Sequence, residues 1–267
     1  MRLPSLSSDS HIVQDNVPDQ ETMGSALERI ARANHRSVNV HQYGWYETAA
    51  PTYIATAPEI LRRTGASKVI LLMNLNDFVP LGFSNGRYWQ MHLRADGSYA
   101  LKDVRPPVDT SRLAELRDMM TGSHLLLAVQ RRASRVLGTL TQRLRRKRIT
   151  QSQAPQTTKQ EIARVSVHGL REAYGEKLLI LYTPFCGIRC GDTPEAAETA
   201  LLDACRTEQV HCVSMRRDMI DEAARNFRLA RGFHNTAPGV GHLNSDGLEL
   251  AARVAWREIG QSIPPAR

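Results

Sequence analysis

Two hydrophobic patterns alternate along most of the chain, one typical of buried strands and the other of amphipathic helices. The clearest strand is 68–75, where Val69-Ile70-Leu71-Leu72-Met73 is continuously apolar, as in a parallel strand covered on both faces. Further strands are predicted at 37–42, 177–182 and 210–214, with a weaker extended segment ending just before Ser10. Apolar residues at helical spacing predict helices at 19–34, 52–63, 159–174, 194–206, 217–227 and 245–259. This alternation predicts an α/β fold, a three-layer α/β/α sandwich around a five-stranded parallel sheet.

Two helix ends carry local signals. Asp19 stands where it could cap the first helix, because a carboxylate accepts hydrogen bonds from free N–H groups there. Gly65 follows the second helix and is a candidate C-cap.

The alternation stops after Asn76. Stretches 87–93 and 98–104 flank Asp96-Gly97, which indicates a hairpin. Helices are then predicted at 111–120 and 124–146. We therefore expect one domain, 1–267, with a hairpin-plus-helix insertion at about 78–156.

The composition, 42% hydrophobic and 23% charged residues, is that of an ordinary globular protein. Apolar runs of about 18 residues, which a membrane-spanning helix needs, are absent from the sequence. The first residues do not form the apolar region of a signal peptide. A cytoplasmic location is expected if Met1 is the true start, and a periplasmic or membrane-associated one if an upstream leader is missing.

The positive charge is concentrated in one segment. Between Met119 and Gln160 there are nine lysines and arginines and no acid, and removing these from the net charge of +8 leaves −1. The stretch Arg131–Arg148 is either the solvated end of a helix or a contact for an anionic membrane surface or acidic polymer. A nucleic-acid partner is not expected, because no recognised binding fold or aromatic platform accompanies the charge.

Candidate chemistry follows the predicted strands. Ser10 follows the first strand, Gly44 the second, Asn76 the third and His242 the fifth, so all four are expected at the same edge of a parallel sheet. In an open α/β sheet, ligands bind at the carboxyl edge of the strands. A serine there can act as a nucleophile if a base takes its proton, and histidine is the natural base near neutral pH.

These segments, in this order, resemble the conserved blocks of the SGNH hydrolase superfamily, also called GDSL esterases and lipases. Segment 17–22 is also similar to the residues that come after the first block in many bacterial members. The four block-like segments are Ser8-Asp9-Ser10, Gln42-Tyr43-Gly44, Leu75-Asn76-Asp77-Phe78 and Gly241-His242-Leu243-Asn244, the last followed by Gly247.

The resemblance implies a flavodoxin-like SGNH hydrolase fold and a role for each block residue. Ser10 would be the nucleophile and His242 its base. The backbone N–H groups of Ser10 and Gly44, with the side-chain amide of Asn76, would form the oxyanion hole. Asp9 and Asp77 are interpreted as structural carboxylates that bind loop amides.

The sequence departs from the family at one position. The family usually has an aspartate three residues before its histidine, where this chain has Gly239. His242 could work with Ser10 as a dyad oriented by a backbone carbonyl, another acid such as Asp246 could substitute, or the site could be impaired. We favour a dyad or a substituted acid.

All four cysteines lie within 186–212. A short-range disulfide between Cys186 and Cys190 is feasible and would imply an oxidising compartment. Cys205 and Cys212 are predicted to be buried free thiols. The usual paired spacing of a zinc site is lacking, so neither a metal nor a cofactor is expected.

The sequence thus predicts an esterase or O-acyl/acetyltransferase that forms an acyl-enzyme on Ser10. By the resemblance, its substrate is an acylated small molecule or carbohydrate. The alternative is a catalytically impaired SGNH-like module that binds a polysaccharide or anionic surface through its basic arm.

Overall fold

A computed structural model describes residues 5–8, 17–44, 49–77, 89–94, 98–103, 159–186, 190–233 and 239–264, with only the backbone of 5–8. The chain divides into two units, 1–104 with 157–267, and 105–156. The helices predicted at 111–120 and 124–146, the basic stretch Arg131–Arg148, Asp9 and Ser10 lie outside the described residues. Within the described part, none of the helices is long and apolar enough to span a membrane.

Parallel strands form the centre of the first unit. The strands of this unit are β1 (Ser5–Ser8), β2 (His41–Gly44), β3 (Val69–Met73), β4 (Trp89–Leu93), β5 (Tyr99–Asp103), β6 (Leu178–Tyr182) and β7 (His211–Ser214). The sheet has the order β2-β1-β3-β6-β7, and each neighbouring pair is parallel. A separate antiparallel hairpin joins β4 to β5.

Helices cover both faces of this sheet, because alternate side chains of its central strands point to opposite hydrophobic clusters. The helices are α1 (Met23–Ala33), α2 (Ala50–Thr64), α3 (Lys159–Tyr174), α4 (Ala196–Glu208), α5 (Arg216–Asn226) and α6 (Ser245–Ile259). Ile70 and Leu72 of β3 pack into one cluster, with residues of α1 and α6. Val69, Leu71 and Met73 pack into the other, with residues of α2, α3 and α4.

Two local predictions have different outcomes. Gly65 ends α2 with a φ of 60°, and its N–H donates to Leu61 O at 2.9 Å, which confirms the predicted cap. The cap predicted at Asp19 is wrong, since Asp19 begins a short 3₁₀ turn and α1 starts after Thr22. The Thr22 hydroxyl accepts from the N–H of Ser25, so the true cap follows that turn.

The predicted hairpin is confirmed by the antiparallel pairing of β4 and β5, although Asp96-Gly97 lies outside the described residues. The hairpin packs on the helical layer. The Tyr99 hydroxyl donates to Glu172 of α3 at 2.8 Å. A Cβ at Gly169 would lie only 2.7 Å from the Ile54 side chain and 3.0 Å from the Tyr99 hydroxyl. Glycine at this position therefore allows the close approach of α2, α3 and the hairpin.

All four cysteines are bonded in pairs. The Cys186–Cys190 disulfide, which the sequence left as feasible, is present. The prediction of free thiols at Cys205 and Cys212 is wrong, because these residues form a second disulfide. A left-handed residue, Gln209, ends α4 and turns the chain towards β7, leaving the two Cα atoms 6.1 Å apart, within disulfide range. Cys205 is buried and Cys212 is half-buried, and such positions are compatible with a thiol as well as with a bridge, so the sequence pattern did not distinguish them.

Candidate functional site

The carboxyl ends of three neighbouring strands meet at one point of the sheet. Ser8, the last residue of β1, is paired with Gly44 on one side and Leu72 on the other. Ser10 is only two residues further along, although it lies outside the described residues. Gly44 is the last residue of β2, so the first two block-like segments leave adjacent strands at the same edge.

The segment that carries Asn76 is held by a buried carboxylate. Asp77 is 1% exposed. Its Oδ2 accepts from the backbone N–H of Asn74 at 2.7 Å, and its Oδ1 accepts from the Tyr53 hydroxyl at 2.9 Å. The N–H of Asp77 donates back to Asn74 O at 3.1 Å. These contacts hold the turn Leu75–Asp77, and with it the backbone of Asn76, directly after β3.

Gln42 ties β2 to the start of α1. Its Oε1 accepts from the N–H of Gly24 at 3.0 Å, and its Nε2 donates to the Thr22 hydroxyl at 3.1 Å. A Cβ at Gly24 would lie 2.7 Å from the Gln42 side chain, so this approach requires glycine. The strand end at Gly44 is thereby fixed against the segment that follows Ser10 in the chain.

His242 lies in a loop built on a short antiparallel pairing. The N–H of Gly232 donates to His242 O at 3.1 Å, and the N–H of Gly239 donates to Arg231 O at 3.1 Å. Gly239 and Gly241 have φ values of 77° and 101°, in the region that favours glycine. The position where the family has its aspartate is therefore a turn position here. His242 itself is exposed.

Arg231 connects this loop to the end of β6. Its side chain is 1% exposed, and its guanidinium lies 4.5 Å from the centre of the Phe185 ring. Nε donates to Pro184 O at 2.8 Å, and Nη2 donates to Thr183 O at 2.6 Å and to the Thr183 hydroxyl at 3.0 Å. Nη1 donates to Gly241 O at 2.8 Å. One buried cation thus binds the loop after β6 and the residue before His242.

The contacts continue to the neighbouring strand. The N–H of Thr183 donates to Met73 O at 2.7 Å, and its hydroxyl donates to the same oxygen at 3.2 Å. Tyr182, the residue before Thr183, donates a hydrogen bond from its hydroxyl to the Glu195 carboxylate. Burial of the Tyr182 hydroxyl, together with this carboxylate, raises the pKa of Tyr182. Tyr182 therefore stays neutral at the end of β6. A continuous path of contacts runs from the end of β3 through Thr183 and Arg231 to the His242 loop.

The first and last helices of the described chain, α1 and α6, are also joined by polar contacts. The Ser245 hydroxyl donates to the Glu21 carboxylate, and Arg29 forms an ion pair with Glu249 at 2.7 Å. Glu21 follows Ser10 by eleven residues, and Ser245 follows His242 by three. The segments that flank the two predicted catalytic residues are therefore in contact.

The remaining sequence predictions have different positions. Asp246 lies in the first turn of α6, as predicted, and its carboxylate is 3.4 Å from Arg228. Asp9 and Ser10 lie outside the described residues, and so does the side chain of Asn76. Sequence analysis missed Arg231, because the local pattern does not distinguish this buried arginine from the exposed Arg228 three positions earlier.

Metal-ligating side chains do not cluster in the described ranges. Groups of three or more His, Cys, Asp or Glu that could hold a metal ion are not found there.

Comparisons with known proteins place this architecture. No protein-family model matches the sequence, and no curated protein matches it. Among solved structures, a lipase/acylhydrolase from Enterococcus faecalis is similar over 100% of both chains, with a TM-score of 0.54 and 12% identity. An acetyl xylan esterase, AlAXEase, is similar over 97% of this chain and 100% of its own, with a TM-score of 0.51 and 10% identity.

A third similar structure is a two-domain esterase active on acetylated mannans, with a TM-score of 0.50 and 11% identity. The match covers 100% of this chain and 52% of that one, so this chain corresponds to about half of the two-domain protein. At these identities the similarity shows the fold. The chain has the α/β fold of this lipase/acylhydrolase and of these two esterases.

Proposed function

We propose that this protein is a serine esterase or acyltransferase that uses Ser10 as nucleophile and His242 as base. The observation that carries the proposal is the path of contacts from Met73 through Thr183 and Arg231 to Gly241. This path ties the His242 loop to the edge where β1, β2 and β3 end. It supports a site in which residues from distant parts of the chain act together.

The proposed reaction begins with attack of the Ser10 Oγ on the acyl carbonyl carbon, while the imidazole of His242 takes the hydroxyl proton. Negative charge then develops on the carbonyl oxygen. The N–H groups of Ser10 and Gly44 and the amide of Asn76 would stabilise that charge. The intermediate collapses, and the alcohol leaves with the proton from His242. Water or a sugar hydroxyl then attacks the acyl-enzyme, His242 takes its proton, and Ser10 is released.

The orientation of His242 is proposed to come from the backbone. Gly239 replaces the family's aspartate, and Asp246, the nearest acid in sequence, has its carboxylate beside Arg228. The loop is instead fixed by the antiparallel pairing with Gly232 and by Arg231. We therefore favour a Ser10–His242 dyad over a triad completed by Asp246.

The proposed substrate is an acylated carbohydrate, with acetyl as the first acyl group to test. Two of the similar structures are esterases whose names refer to acetylated mannans and acetyl xylan. Those substrates belong to those proteins, and the fold alone transfers neither to this chain. An acylated small molecule is the simpler substrate of the same chemistry.

A second candidate is an impaired module that binds a polysaccharide or an anionic surface. Two sequence features favour it, the glycine at position 239 and the acid-free basic stretch Arg131–Arg148. It predicts binding to acetylated polysaccharide or to anionic vesicles that is unchanged by Ser10→Ala and lost when the arginines are replaced.

Hydrolysis of p-nitrophenyl acetate and acetylated xylan tests the first proposal. We expect kcat/KM to fall by about 10⁴-fold or more in Ser10→Ala and His242→Ala, and by about 10²–10³-fold in Asn76→Ala. The matched control is His211→Ala, because His211 lies on the edge strand β7 and pairs with Glu258 at 3.1 Å. Activity that survives Ser10→Ala, or a wild-type protein without activity on either ester, contradicts the proposal.

A further inference from the structure

The two disulfides have different surroundings. The sulfur atoms of Cys186 and Cys190 lie 3.7 and 3.5 Å from Nη1 of Arg216. Cys205 and Cys212 join α4 to β7 and pack against the second hydrophobic cluster. In the described part of the chain, no guanidinium is hydrogen-bonded to either of those sulfurs. The structure therefore offers two disulfides that differ in whether a cation faces them.

A buried carboxylate fixes the orientation of Arg216. Glu198 is 1% exposed. Its Oε2 accepts from Nε of Arg216 at 2.8 Å and from Nη2 at 2.5 Å, and the Ser214 hydroxyl donates to its Oε1 at 2.5 Å. With these two nitrogens occupied, Nη1 is directed to the sulfurs and to Gly191 O at 3.1 Å. The cation is thus held beside the disulfide before any bond is broken.

The first disulfide also lines a cavity. This cavity, of about 450 Å³ on the side of α5, is lined by Cys186 and Cys190 together with Met219, Ala223 and Phe227. Phe227, at the end of α5, is 91% exposed. The cysteines themselves are similarly buried, because each disulfide joins a buried residue (Cys186, 7% exposed, or Cys205, 2%) to a half-buried one (Cys190 or Cys212). The cavity therefore gives a small dithiol its approach to the first disulfide.

We propose that Cys186–Cys190 is an exchange-competent disulfide, opened by a dithiol reductant and assisted by Arg216, while Cys205–Cys212 is a structural bridge. Thiol–disulfide exchange proceeds by attack of a thiolate on one sulfur and departure of the other as a thiolate, and a leaving thiolate of lower pKa departs faster. A neighbouring arginine stabilises such a thiolate. Arg216 contacts both sulfurs, so it meets the departing thiolate whichever sulfur is attacked.

The exchange is balanced with the reductant as the only co-reactant. One reductant thiolate attacks the half-buried Cys190 sulfur, the S–S bond breaks, and Cys186 leaves as a thiolate beside Arg216. The second thiol of the reductant then loses its proton and attacks the reductant's first sulfur, which is bonded to Cys190 in the mixed disulfide. This attack closes the reductant disulfide and releases the Cys190 thiolate. The protein gains two electrons, and the reductant becomes a disulfide. The exchange uses neither Ser10 nor His242.

Graded reduction of the folded protein by dithiothreitol tests this proposal. Aliquots are acid-quenched and alkylated, and the oxidation state of each cysteine pair is read by peptide mass spectrometry. We expect Cys186–Cys190 to open about tenfold or more faster than Cys205–Cys212, with circular dichroism unchanged. Simultaneous opening of both pairs, or opening only when the protein unfolds, overturns the proposal.

The cavity alone could also make the first disulfide open faster, so the role of Arg216 needs its own variants. Arg216→Gln should slow the opening of Cys186–Cys190 about tenfold and move alkylation of the reduced thiols to higher pH. Arg217→Gln is the matched control, because that guanidinium is exposed and pairs with Asp192 and Asp221, each at 3.1 Å. It should change the rate less than about twofold.

Removing Arg216 alone leaves the buried Glu198 carboxylate without this partner, which can unfold the protein. The double variant Arg216→Gln/Glu198→Gln removes both charges and keeps polar side chains that can hydrogen-bond to each other. It should fold and should show the same slow opening as Arg216→Gln. If the double variant opens as fast as the wild type, or if Arg217→Gln slows opening as much as Arg216→Gln, the arginine has no specific role and the proposal is wrong.

Discussion

The candidate site is held by two buried charges of opposite sign, which stabilise their loops in complementary ways. Asp77 holds the loop after β3 by accepting hydrogen bonds from the Asn74 N–H and the Tyr53 hydroxyl. Arg231 holds the loop before α6 by donating to carbonyl oxygens of Thr183, Pro184 and Gly241. Both side chains are 1% exposed.

The difference arises from the backbone groups that each loop presents. A chain that turns directly out of a strand presents free N–H groups, which a carboxylate satisfies. Carbonyls from two separate segments face one another near His242, and only a donor with several N–H groups can bind them at once. Arginine carries five N–H donors and no acceptor, so it suits this position. Each buried charge therefore replaces backbone hydrogen bonds that the ends of the strands cannot form.

The larger effect should come from Arg231, because it joins more segments. Arg231→Met keeps an apolar side chain but leaves carbonyls at three residues without this donor. We expect the free energy of unfolding to fall by about 3–5 kcal/mol and the proposed esterase activity to fall with it. Urea unfolding followed by circular dichroism measures the first, and ester hydrolysis measures the second.

Arg231→Lys separates charge from hydrogen bonding at the same place. An ammonium keeps the positive charge but cannot span Nε, Nη1 and Nη2 positions together, so stability should be intermediate. A fully stable Arg231→Met variant would show that the hydrogen bonds of Arg231 are dispensable. Arg231 would then not hold its loop as Asp77 holds the loop after β3.

Asp77→Asn should have a smaller effect. The amide oxygen can still accept from the Asn74 N–H, but the NH2 group then faces Tyr53, so the Tyr53 hydroxyl can no longer donate to this side chain and the charge is lost. We expect a loss of about 2–3 kcal/mol in the free energy of unfolding. If the loss exceeds that of Arg231→Met, the acidic anchor rather than the basic one dominates this edge of the sheet.

Tyr53→Phe sharpens this result, since it removes only the hydroxyl donor to Asp77. The carboxylate keeps its bond from the Asn74 N–H, and the ring keeps its place in the core. The expected loss is about 1 kcal/mol, measured by the same unfolding experiment. A loss equal to that of Asp77→Asn would mean that the charge of Asp77 adds nothing beyond its contact with the Tyr53 hydroxyl.

The smallest change is expected for Asp246→Asn. Its carboxylate is partly exposed and pairs with Arg228, an interaction that contributes about 0.2–1 kcal/mol. If His242 acts in a dyad, kcat/KM should change less than about threefold. A loss of about a hundredfold or more, with stability unchanged, would instead make Asp246 the substituted acid.

Particular residues show how far sequence reasoning reached. The apolar run of β3 and the helical spacing of α6 were sufficient to predict both elements from the sequence. The helix α6 has the predicted bounds of 245–259. The second strand was predicted at 37–42 but lies at His41–Gly44, because its register is set by pairing with β1 rather than by local pattern. Arg231 was not predictable, since its burial depends on carbonyls that are distant in sequence.

Labelling with a fluorophosphonate probe tests the central claim most directly, because the probe bonds to an activated serine. The account predicts one adduct, which peptide mapping assigns to Ser10. The adduct should be lost in Ser10→Ala, strongly slowed in His242→Ala and unaffected in His211→Ala. An unlabelled wild-type protein, a label on another serine, or labelling of Ser10 that proceeds equally well without His242 would contradict it.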